Sequence, residues 1–138
     1  MDNNTKRQLI MKHYLHPENK ISKPLDDYQK FYIHSTKCVD EMDLFIKKEN
    51  NIIVDAKFSG TGCAVFLAST DIFLSLIKNK NITLIEKIIE NYHNLINQTK
   101  ESIDLNLLEN LVIFSDVKTH LNRLECASLV YQILKKAI

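Results

Sequence analysis

The chain has 138 residues, 45% of them hydrophobic and 25% charged, with a formal net charge of +1. That is the size and balance of one globular domain, spanning 1–138, with enough apolar material for its own core. Near-neutral, well-mixed charge and few aromatics exclude the basic, aromatic-studded surface of a nucleic-acid binder.

The first residues, MDNNTKRQL, carry no apolar core and no small-residue cleavage site, so they do not read as a secretory leader. Residues 4–15 read as a short helix with Leu9, Ile10 and Tyr14 on one face, stopped at His16-Pro17. Residues 16–30 hold both prolines and many polar groups, the composition of an irregular connection. Strand character follows. Phe31, Tyr32 and Ile33 open it, and Met42, Leu44 and Ile46 alternate with Glu41, Asp43 and Phe45. After a polar turn at Lys48–Asn51, Ile52, Val54, Ala56 and Phe58 alternate with Ile53, Asp55 and Lys57. The period of two predicts a three-stranded antiparallel meander with one buried face. Residues 63–78 read as a largely apolar helix. Ser69, Thr70, Asp71 and Ser75 interrupt it, leaving it too short and too polar to span a bilayer. Residues 82–97 place Ile82, Ile85, Ile88, Ile89, Tyr92 and Ile96 at helical spacing, with Asn81 or Thr83 as cap. Further helices are predicted over Ser102–Phe114, with Leu105, Leu108, Leu111 and Val112 inward, and over Leu121–Ala137. The expected class is α+β: a small three-stranded antiparallel sheet packed against a layer of four to five helices, in a cytosolic protein.

The unusual residues gather in a few places. The only glycines, Gly60 and Gly62, stand directly before Cys63, where a strand should stop and a helix start. Glycine permits close backbone approach at such a corner, and a helix N-terminus favours a thiolate. Cys38 and Asp40 share a face if the backbone is extended. Arg123, the only arginine beyond the first ten residues, stands one helical turn before Cys126, where a guanidinium can balance thiolate charge. Three cysteines in a reducing compartment argue against a disulfide framework. Cys38, Asp40, Cys63 and Cys126 make a zinc-type donor set of three sulfurs and one oxygen. Their spacing is not that of a zinc finger: 22 residues separate Asp40 from Cys63, and 62 separate Cys63 from Cys126. Each residue also has a plain structural reading. Cys126 continues a stripe with Val130, Ile133 and Ala137, Cys63 one with Phe66 and Leu67, and Asp40 reads as an exposed turn residue. His93 reads as a surface residue, and His120 is the one histidine placed to stand behind the site. No G-x-S-x-G elbow, phosphate loop or H-E-x-x-H helix competes.

Four motifs in order resemble a known family. Asp55–Ser69, D-A-K-F-S-G-T-G-C-A-V-F-L-A-S, resembles the G-x-G-C-x-x-x-x-A-S block of the SufU/IscU/NifU N-terminal proteins of iron–sulfur cluster assembly. Arg7–Lys20 resembles their opening helix and H-Y-x-x-P-x-N signature, C-V-D stands where they have C-G-D, and Asn122–Leu129 resembles their closing R-x-x-C-A-x-L. The long gap before Cys126, and Glu125 where IscU has histidine, resemble the SufU branch. The resemblance implies zinc held by Cys38, Asp40, Cys63 and Cys126. It also implies a SufS-type pyridoxal-phosphate cysteine desulfurase as sulfur donor and a downstream iron–sulfur acceptor. Cys38 is then the thiolate that accepts persulfide sulfur, with Arg123 offsetting negative charge, as in a zinc-dependent sulfurtransferase. The rival expectations are a scaffold carrying iron or an iron–sulfur cluster on the same ligands, a structural-zinc module that activates the desulfurase allosterically, and a metal-free fold with core cysteines. The one departure is Val39 in place of the family's glycine, a β-branched residue that would be strained if the turn needs positive φ.

Overall fold

The computed structural model describes residues 1–36 and 39–138. Helix α1 (Asn3–Leu15) begins where the Asp2 carboxylate accepts the Thr5 amide at 2.7 Å, and it ends at His16, ahead of Pro17. Strands β1 (Gln29–His34), β2 (Glu41–Glu49) and β3 (Ile52–Thr61) form the expected antiparallel meander. Asn50 and Asn51, at φ of +52° and +62°, make the tight β2–β3 turn, a conformation asparagine adopts more readily than most residues.

Helix α2 (Ala64–Ile77) runs through the centre of the molecule, buried on almost every side. It is followed by a two-residue strand β4 (Lys80–Asn81), helix α3 (Ile82–Asn97), one turn of helix α4 (Leu105–Leu108), two 3₁₀ segments (Glu109–Phe114 and Val117–Thr119) and helix α5 (Leu121–Ala137). Met42, Leu44, Ile46, Ala56 and Phe58 on the sheet join Phe66, Phe73 and Leu74 of α2, the α3 stripe and the inner face of α5 in one core. At its centre the Tyr92 hydroxyl donates to the Ala127 carbonyl at 2.7 Å, and its ring meets Phe73 and Phe114 edge-on. Among the described residues no helix is long and apolar enough to cross a membrane.

The α+β class holds, with corrections to the sequence reading. The sheet has four strands in the order β1-β2-β3-β4; β4 pairs Lys80 with Ile53 and Asn81 with Ile52, and two residues are too few to show alternation. The alternation along β3 breaks at a bulge. Lys47 faces Asp55 while Lys48 faces Ile53, so Ile53 turns inward together with Ala56 and Phe58, and Ile52 stays exposed. The helix expected over Ser102–Phe114 is α-helical only at Leu105–Leu108. Glu109, at φ +47°, ends it, and Leu108, Leu111 and Phe114 then point inward at the three-residue spacing of a 3₁₀ helix.

Polar groups also fasten the N-terminal segment. His13, rather than the expected Tyr14, is the buried residue of α1. Its Nδ1 lies 2.7 Å from Oδ2 of Asp71 on α2, and that fully buried carboxylate accepts the backbone amides of Glu18 and Asn19 at 3.1 and 2.8 Å. The Asn19 side chain donates to the Asp71 carbonyl and to Ser75.

Candidate metal centre

Strand pairing sets up the site. Glu41 at the start of β2 faces Thr61 at the end of β3, so the residue before one and the residues after the other meet at the same end of the sheet. Asp40 therefore lies against Gly62 and Cys63. The approach depends on the glycines. A Cβ on Gly62 would stand 2.3 Å from Asp40 Oδ1, and one on Gly60 would stand 2.4 Å from the Glu41 carbonyl oxygen.

Cys63 caps α2, as expected. Its Sγ accepts the Phe66 amide at 3.4 Å, and its own amide donates to Asp40 Oδ1 at 2.8 Å. The thiol sits 3.7 Å from Asp40 Oδ2. Asp40 is 1% exposed, so it is no surface turn residue. Its carbonyl accepts the Ser35 amide at 2.8 Å, which fixes the strand entry. Cys63, by contrast, is exposed and so no core filler.

Helix α5 delivers the third group. Its inward stripe of Cys126, Val130, Ile133 and Ala137 is buried as the sequence suggested, and Cys126 at the head of that stripe reaches the same place. One ligand atom each from Asp40, Cys63 and Cys126 lies within 4.8 Å of the others. Burial pushes the Cys126 thiol well above its ordinary range, and hydrogen bonding to Asp40 and Cys63 and their negative charge push it further. Three groups that are anionic when ionised share one pocket, and among the described residues no cation pairs with Asp40. A bound divalent cation would reverse that balance and hold both thiols as thiolates.

The sequence joined four residues here, and the structure brings three of them together. Cys38 lies outside the described residues, while Val39 beside it is 83% exposed. Arg123 is exposed one turn before Cys126, and His120 is exposed and outside the cluster.

A profile of the NifU-like N-terminal domain matches residues 5–138. The chain belongs to that family, which includes SufU and IscU. Among its relatives within the NifU-like family, the chain is 33% identical over 135 residues to "Zinc-dependent sulfurtransferase SufU" of Bacillus subtilis, covering 96% of this chain and 88% of that one. It is also 33% identical over 101 residues to "Iron-sulfur cluster assembly scaffold protein IscU" of Thermotoga maritima, covering 73% and 70%. The NifU-like fold superimposes on a putative SUF-system scaffold protein from Fervidobacterium islandicum with a TM-score of 0.83, 25% identity and 98% of both chains covered. A NifU-like N-terminal protein from Brucella abortus shares the fold at a TM-score of 0.80 and 12% identity, over 94% of this chain and 88% of that one.

Proposed function

We propose that this protein is a zinc-dependent sulfur carrier, taking persulfide sulfur from a cysteine desulfurase for iron–sulfur cluster assembly. The observation that carries the reading is the convergence of Asp40, Cys63 and Cys126 within 4.8 Å, with a buried carboxylate between two thiols. Thiolate sulfur with one carboxylate oxygen suits zinc, and Cys38, two residues before Asp40, completes a four-coordinate set. Bound zinc would keep the thiols deprotonated and close at hand. A relative at 33% identity carries the name of a zinc-dependent sulfurtransferase, which supports the same reading.

In this reading the chain's own residues do the following. Asp40 anchors the Cys63 amide and sets the thiol's position. Cys126 supplies the buried sulfur. Arg123 adds positive charge one turn away on α5. Cys38 accepts the sulfur: its thiolate attacks the terminal sulfur of the desulfurase's cysteine persulfide. A new S–S bond forms at Cys38, the donor's S–S bond breaks, and the donor leaves as its thiolate. No redox agent is consumed, because the sulfane sulfur moves from one thiolate to another.

The test is metal content of anaerobically purified protein, wild type beside Asp40→Ala, followed by persulfide transfer from the desulfurase to wild type and Cys38→Ala. One zinc per chain, diminished in Asp40→Ala, with transfer abolished in Cys38→Ala, is the expected result. Full transfer to Cys38→Ala sinks the acceptor assignment. Iron with acid-labile sulfide in place of zinc would instead identify a cluster scaffold on the same ligands.

A further inference from the structure

The chain's only two arginines, Arg7 and Arg123, line a single groove, although they come from opposite ends of the sequence. We propose that this groove receives an acidic and apolar segment of the desulfurase that delivers sulfur; the partner's identity rests on the function proposed above.

Four observations point there. Both guanidiniums are on exposed positions, and neither pairs with a carboxylate among the described residues. Sixteen of the eighteen basic residues are lysines, so two arginines meeting at one place are a local departure. Arginine offers a planar fork that takes a carboxylate through two parallel hydrogen bonds, which lysine cannot do. The groove is also lined by apolar groups, including Ile10 and Met11 of α1, Val65 of α2 and Phe114. At about 260 Å³ it falls below the roughly 300–1,000 Å³ that encloses a drug-sized molecule.

 That is room for a large side chain of a docked segment. One carboxylate, Asp116, also lines the groove, which disfavours a uniformly anionic ligand such as nucleic acid and suits a peptide of mixed polarity.

The groove's lining adjoins the thiol residues along the chain, with Ala64 directly after Cys63. Val65 lies two residues after Cys63, and Arg123 lies one turn before Cys126. A segment seated there would hold a persulfide-bearing loop close to the cluster. Arginines flanking a small apolar pocket are also the residue types that dominate protein interfaces.

Arg7 decides the matter, because it belongs to no part of the metal site. The experiment measures binding of the cysteine desulfurase to the zinc-loaded wild type, Arg7→Glu, Arg123→Glu and the double variant, at low and high salt. Zinc content and thermal melting are read on each variant. A photo-crosslinking residue at Met11 maps the contact, with one at Glu101 as control. Expected are unchanged zinc and melting for Arg7→Glu, binding weakened roughly tenfold or more at low salt, a smaller loss at high salt, and cross-links from Met11 to an acidic stretch of the enzyme. Wild-type binding by Arg7→Glu overturns the groove and leaves the sulfur-transfer reading standing. Absence of any complex with wild type overturns both. Cross-links from Glu101 but not from Met11 place the enzyme on another face and overturn the groove alone.

Discussion

Gly62 stands where any other residue would drive a methyl group into the Asp40 carboxylate, at 2.3 Å from Oδ1 and 2.7 Å from the Phe66 ring. Gly62→Ala should therefore displace Asp40 from Cys63, destabilising the fold by about 1–3 kcal/mol and lowering metal occupancy together. Thermal melting and metal analysis on one preparation check this; an unchanged metal content would show that Asp40 is not held by the glycine corner. Tyr28 offers a second residue-scale test, outside the candidate centre. Its hydroxyl donates to Asp55, and that bond, with burial and the charges of Asp55 and Asp27, pushes the phenol up to about 12. Burial pushes the Asp55 carboxyl up, but the Tyr28 bond, the Ala56 amide and the Lys57 and Lys78 charges outweigh it and leave it below its ordinary value. The folded phenol holds its proton more tightly than the unfolded one. Its contribution is thus fully present below about pH 10 and lost as pH rises towards about 12. Wild type should lose more stability than Tyr28→Phe across that window in denaturant titrations; parallel losses would mean the bond does not persist in solution.

At the scale of elements, α1 is joined to α2 by a polar clasp as much as by apolar burial. Leu9 and Ile10 are only partly buried, whereas His13 and Asp71 are enclosed. Replacing Asp71 by Ala strands the Glu18 and Asn19 amides and the His13 ring, at a cost of about 3–5 kcal/mol. Asp71→Asn keeps the volume but exchanges one acceptor oxygen for a donor. In hydrogen exchange it should deprotect α1 while α3 keeps its protection; uniform loss over both helices would show that α1 does not open on its own. The clasp also marks the limit of sequence reading. Helix α3 was legible because Ile85, Ile88, Ile89, Tyr92 and Ile96 repeat at helical spacing and Asn81 caps it. The His13–Asp71 contact was not, because 57 residues lie between its partners and a lone histidine on a helix carries no spacing signal. The bulge in β3 was hidden for a related reason: Ile52, Ile53 and Val54 are all apolar, so the residue types do not say which one turns inward.

For the whole molecule, the candidate centre is where three distant parts of the chain are tied. Asp40 enters β2, Cys63 opens α2 and Cys126 heads the inner stripe of α5. The residue types in the site were legible from the sequence, but their meeting was not, since it depends on the β2–β3 register and on how α5 packs against α2. A metal bound there would couple sheet, central helix and last helix, and would stabilise the folded state in proportion to its occupancy. At a free concentration 1,000 times the dissociation constant the gain is about 4 kcal/mol. Most of the core is apolar packing distinct from the candidate ligands: Phe66, Phe73, Tyr92 and Phe114 are fully buried in it. Chelation should therefore lower the melting temperature by several degrees while leaving a cooperative transition, unlike a zinc finger, which unfolds without its metal. Cys63→Ser should weaken the response to chelator and metal, and Asp40→Asn should do the same while keeping the carboxylate's shape. If chelator leaves wild-type melting unchanged, the three groups do not hold a metal in solution. If it abolishes the folded state, the metal is part of the core rather than an addition to it.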